Sequence, residues 1–113
     1  MPLAATAVYS STKAALHSYA LSQRFMLRDT GVRVLEIAPP WVRTELMNSQ
    51  EAERAMPLNQ FITEAIKMLG TDANEIVIEA AKTMRNNVGP DEQSFVNEFN
   101  ARMLALFGGQ AGP

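Results

Sequence analysis

Two residues in this chain could do proton chemistry together: Tyr9 and Lys13, four positions apart in Tyr9-Ser10-Ser11-Thr12-Lys13. On a helix that spacing puts a phenol and an ammonium on one face. A nearby cation favours the phenolate and readies the hydroxyl to act as general acid or base. The same spacing also suits an ordinary pair on a helix surface, and that plainer reading holds until other features weigh in. Other candidates are weaker. His17 is the lone histidine and reads as an exposed helix residue. With no cysteine, thiolate chemistry and disulfides are excluded. No His/Asp/Glu group has metal-ligand spacing along the chain. Ser10, Ser11 and Ser22 lack a His or Asp arrangement for nucleophilic catalysis. Glu75 and Glu79 read as solvated surface, and the seven methionines as filling for apolar contacts.

The elements that must position Tyr9 and Lys13 follow from composition and punctuation. Between Ala5 and Arg28 there is no Gly or Pro, and helix formers dominate, so a long helix is expected. Ala15, Leu16, Tyr19, Gln23 and Phe25 form a broad stripe suited to a helix mostly covered by protein. Gly31 fits a left-handed C-terminal cap. Val32 to Ala38, bounded by Gly31 and Pro39, reads as a strand. A parallel strand needs neighbours on both sides, so a further strand is expected from upstream or from another chain. Trp41 to Asn59 is irregular, with room for a short helix across Ser49–Arg54. Leu58 to Leu69 is amphipathic through Leu58, Phe61, Ile62, Ala65, Ile66 and Leu69, and Gly70 stops it. Glu75 to Glu79 predicts a short strand followed by a helical turn or two, and Asp91 to Phe107 a closing helix. Residues 108–113 predict a flexible tail.

The stretch Tyr9-Ser10-Ser11-Thr12-Lys13-Ala14-Ala15-Leu16 resembles the active-site helix of the short-chain dehydrogenase/reductase family. That family's next strand ends in Pro-Gly, with a Thr a few residues on. Here Pro39-Pro40 is followed by Trp41-Val42-Arg43-Thr44. Helix, strand, Pro and Thr recur in the family's order over residues 3 to 69, and more loosely to 107. Ala55-Met56-Pro57-Leu58 and Glu75-Ile76-Val77-Ile78-Glu79 liken it further to bacterial members of unassigned substrate, of the kind encoded with D-alanine transfer genes.

The resemblance implies an α/β fold: the C-terminal part of a Rossmann-like doubly wound domain over residues 1–107, mostly helical with one or two short parallel strands. It implies NAD or NADP as cofactor and a small carbonyl or alcohol as substrate. By the same resemblance Tyr9 exchanges the substrate proton, and Lys13 favours its phenolate and bonds the nicotinamide ribose. Pro39, Val42 and Thr44 line the nicotinamide, and Trp41, Met47 and the segment to Leu58 cover the substrate. Pro40 departs from the family's Gly and removes an N–H. No glycine precedes Gly31, so these residues hold no Gly-rich phosphate loop. The family's catalytic Ser is also unmatched. The expectation is a truncated enzyme, inactive alone, for which binding no cofactor is one outcome, with a non-catalytic oligomerisation module or a functionless fragment as the alternatives.

Bulk properties set the remaining bounds. Hydrophobic residues make up 47% and charged residues 19% of 113, enough for one small core. A net charge of −2 and no basic cluster argue against nucleic acid or an anionic membrane as partner. No apolar run approaches a bilayer span. A cytoplasmic homo-oligomer, a dimer in the first instance, is expected.

Overall fold

A computed structural model describes residues 3–107. The chain enters through a 3-10 turn at Ala4–Thr6 and continues into α1, Ala7–Met26. Then come β1 (Glu36–Ala38), α2 (Leu58–Leu69), β2 (Glu75–Val77), the single turn α3 (Lys82–Arg85) and α4 (Glu92–Leu106). This is the expected α/β arrangement, mostly helical with two short strands. β1 and β2 run parallel, pairing Glu36 with Glu75, Ile37 with Ile76 and Ala38 with Val77. Such a pair needs a crossover, and the 41–56 loop with α2 supplies it.

The core sits under α2 rather than α1. Ile76 and Ile78 are wholly buried and pack with Ala65, against Met56, Phe61, Met68 and Ala73. Each isoleucine contributes about 2–3 kcal/mol by leaving water. The buried stripe of α2 therefore runs Phe61–Ala65–Met68, while Ile62 and Ile66 of the expected face stay exposed. β2 sets that rotation, because Ile76 and Ile78 project onto the small Ala65 side chain.

Several expectations change in three dimensions. α1 buries no side chain, so its stripe is not covered by protein: Leu16, Tyr19 and Phe25 are all more than half exposed. α1 also ends before Gly31, at Met26. Leu27 donates to the Gln23 carbonyl, and Arg28 closes on the Phe25 carbonyl through backbone and guanidinium. Gly31 therefore caps nothing. The strand expected from Val32 begins only at Glu36, because β2 offers partners only there. Upstream, the Val34 carbonyl accepts from Arg24 Nε and Nη2 at 3.2 and 3.1 Å instead of from a strand.

The 49–54 segment forms turns, not a helix, and a 3-10 turn stands earlier at Leu46–Asn48. A strand followed by helical turns after Glu75 is as expected. Ahead of α4, Gly89 holds φ +112°, a conformation an L side chain would strain. The expected 108–113 tail lies outside the described residues. No helix among the described residues is long and apolar enough to cross a membrane.

Candidate active site

Helix α1 carries Tyr9 and Lys13 on one face, as their spacing requires. The Lys13 ammonium stands 5.3 Å from the centroid of the Tyr9 ring, a cation–π placement. Thr12 and Ser11 turn back onto the helix: Thr12 Oγ1 donates to the Tyr9 carbonyl at 2.7 Å and Ser11 Oγ to the Ala7 carbonyl at 2.8 Å. Ser10 holds the entering chain, accepting from Leu3 N at 3.1 Å. Ser10 and Ser11 near Tyr9 therefore serve the backbone. Tyr9 is 40% exposed.

The second part of the site is the loop leaving β1. Trp41 and Arg43 bracket Val42 against Met56: Met56 N donates to the Trp41 carbonyl at 2.7 Å, and Arg43 N donates to the Met56 carbonyl at 2.9 Å. In such a bridge the flanking residues make the bonds, which turns the N–H and C=O of Val42 to the opposite edge. Thr44 nucleates the next turn. Its Oγ1 accepts from Leu46 N at 3.2 Å and its carbonyl from Ser49 N at 3.1 Å. The Thr44 hydroxyl keeps its own proton for a further acceptor. Pro39 to Thr44 contains no left-handed residue, so the chain rounds Pro40 without the freedom a glycine would bring.

The loop is stapled to itself. Arg43 Nε and Nη2 donate to the carbonyls of Ala52 and Glu53, each at 2.8 Å, and the Trp41 indole N–H donates to the buried Ser49 hydroxyl at 2.9 Å. Met47 and Asn48 both take φ +55°, a strained state for residues other than glycine. Leu46 and Met47 project from that turn into solvent. Met47 is therefore no packing residue, unlike Met56 and Met68. Nothing in the spacing of Ser49 or Arg43 announced their roles, because both depend on a fold-back of the loop.

A second cluster lies two turns along α1 from Tyr9, at the start of both strands. Glu36 and Glu75 are register partners there, and like charges facing each other are destabilising. His17 and Arg85 resolve the conflict. His17 Nδ1 stands 2.7 Å from Glu36 Oε1, and Arg85 Nη2 stands 2.8 Å from His17 Nε2. Arg85 also clasps Glu75, with Nε on Oε1 and Nη2 on Oε2. Arginine can only donate, so Nε2 accepts and Nδ1–H faces the carboxylate. His17 is thus a bridging group between elements, not an exposed helix residue, and Glu75 is paired rather than solvated. Glu79 does stay in solvent, against Lys82.

The expectation of no metal-like cluster also needs correction: ligand atoms of His17, Glu36 and Glu75 all fall within 4.8 Å of one another. Long-range strand pairing creates that group, so local spacing could not reveal it. The Arg85 guanidinium already supplies the positive charge between the carboxylates.

Comparison with known proteins bears on the Tyr9 site. The family description "short chain dehydrogenase" matches residues 1–55, the part that holds Tyr9, Lys13, Pro39, Val42 and Thr44. The chain is also 34% identical over 106 residues to the "Uncharacterized oxidoreductase DltE" of Bacillus subtilis (strain 168). The chain belongs to the short-chain dehydrogenase family. The match covers 89% of this chain but 42% of the relative, so the chain spans less than half the length of the curated relative it matches. No solved structure matches it.

Proposed function

We propose that this chain carries the proton-transfer side of an NAD(P)-dependent oxidoreductase that interconverts a small carbonyl and its alcohol. The observation that carries this reading is the Tyr9–Lys13 pair, with the Lys13 ammonium 5.3 Å from the Tyr9 ring, within a segment that matches the family. Tyr9 exchanges a proton with the substrate oxygen. Lys13 offers donors to a ribose hydroxyl. Nicotinamide, when bound, supplies or accepts the hydride. The outward amide and carbonyl of Val42 suit a carboxamide, the Thr44 hydroxyl suits the same group or a phosphate oxygen, and Pro39 flanks the ring. Trp41, Leu46 and Met47 form an apolar cover for substrate. We place the enzyme in the cytoplasm.

These 113 residues contain no Gly-rich phosphate loop, so cofactor affinity depends on residues outside them. The shallow groove between α1 and β1, lined by Leu16, Tyr19, Ala20, Val34 and Leu35, offers a place for such a segment. The test is a titration of NADPH and of NADH followed by cofactor fluorescence. It is run on the chain alone and on the chain combined with the rest of the Bacillus subtilis relative. Binding by the combination but not by the chain alone supports the reading. No binding in either arm overturns it.

A second reading is an oligomerisation module, favoured by the exposure of Leu16, Tyr19 and Phe25 along one helix. It predicts a homo-oligomer by light scattering at micromolar concentration, and a monomer would exclude it.

A further inference from the structure

We infer that α4 is a strut across the candidate site, with Asn100 and Phe107 as positioning residues that fix the Tyr9 turn relative to the Trp41–Thr44 loop. The two parts of the site need such a device. α1 buries no side chain, and its polar ties to β1 and the segment before it, His17 on Glu36 and Arg24 on the Val34 carbonyl, lie well beyond Tyr9. At 1.5 Å per residue, His17 is about 12 Å down the helix from Tyr9. A helix tied at its far end can swing at its near end, whereas proton transfer tolerates little misplacement of the reacting group.

Helix α4 meets both parts. Asn100 Oδ1 accepts from Ala4 N at 2.7 Å, just ahead of α1, where Ser10 also holds Leu3. Phe107, at the C-terminal end of α4, sets its ring against Trp41, with centroids 6.3 Å apart and planes at 69°. That edge-to-face contact is a favourable aromatic geometry. Asn100 and Phe107 are seven residues apart, hence two turns and about 10 Å along one helix face. Phe99 and Met103, half-buried, lie close to the same line. Helical rise thus converts two contacts into a spacer of set length between the entry to α1 and the loop after β1. α4 buries no side chain of its own. Its hold on the molecule lies in contacts such as these rather than in a packed core.

The sequence permits a direct measurement. Trp41 is the sole tryptophan and there is no cysteine. Val8→Cys, at a position 80% exposed beside Tyr9, takes a single fluorescent acceptor for energy transfer from Trp41. The full chain should give a narrow spread of donor lifetimes. Asn100→Ala and Phe107→Ala should each widen that spread about two-fold, as a local hinge is released. Phe107→Tyr keeps the aromatic edge and should restore the parent width, and Arg102→Ala, on the opposite face of α4, should leave it unchanged. An unchanged spread in both alanine variants overturns the strut. So does a failure of Phe107→Tyr to restore it, or equal widening in Arg102→Ala. Energy transfer needs no cofactor, so its outcome is separate from that of the NADPH titration.

Discussion

Helix α1 and the α2–β2 unit differ in almost every respect that matters for this chain. α2 and β2 hold the buried core of Ala65, Ile76 and Ile78, with little chemistry among them. α1 holds Tyr9 and Lys13 and buries nothing. On the proposed reading stability and chemistry are on separate elements, joined by the Glu36–His17–Arg85–Glu75 cluster, while α4 ties the entry of α1 to the Trp41 loop. On the proposed reading Tyr9 must stay open to its ligand, so some exposure of α1 is intrinsic to that role. The exposure of Leu16, Tyr19 and Phe25 goes beyond that need.

The largest effect that would sharpen this division is on Tyr9. In the chain combined with a nucleotide-binding partner, Tyr9→Phe should lower carbonyl reduction by about 10²–10⁴-fold, the scale of a lost general acid. Its urea midpoint should hardly move. An equal loss of stability would break the comparison. On the other side, Ile76→Ala should cost about 2–5 kcal/mol in urea unfolding, as a truncated core side chain does. The matching truncation on α1, Leu16→Ala, should stay within about 0.5 kcal/mol in a monomer, because that side chain is 56% exposed.

The polar link between the two regions comes next. Arg85→Met leaves Glu36 and Glu75 facing each other and should destabilise by about 2 kcal/mol, less than a fully buried pair because the cluster is partly wet. Lys82→Met, which breaks an exposed pair with Glu79, should cost no more than about 0.5 kcal/mol in the same assay. The smallest effect expected to stand above noise is Ser49→Ala. It removes the acceptor of the Trp41 indole N–H and should cost about 1 kcal/mol, with a change in tryptophan emission. An unaltered spectrum would show that the loop does not depend on this staple.

How much was legible follows from the range of the interactions. Ala7–Met26 and Leu58–Leu69 are local matters of propensity and periodicity, and both helices stand nearly where the residues predicted. The Tyr9–Lys13 pair is one helical turn, equally local. The Pro39–Thr44 stretch is also readable in order, through its resemblance to a family pattern. Burial was less legible. An amphipathic stripe shows that a face wants cover, but not whether cover is present, and on α1 no side chain is fully buried. The length of β1 depended on its partner and not on its own β-branched residues, so three positions paired instead of seven.

The sequence by itself therefore determined the helices, the family pattern and the pairing of Tyr9 with Lys13, because each rests on contacts a few residues apart. Only the tertiary structure decided that His17 joins Glu36 and Arg85, that Ser49 receives the Trp41 indole, and that Phe107 reaches back to Trp41. Those contacts come from strand register, a loop folding onto itself and the placement of a final helix. Such arrangements are set by how the whole chain packs, and no local spacing encodes them.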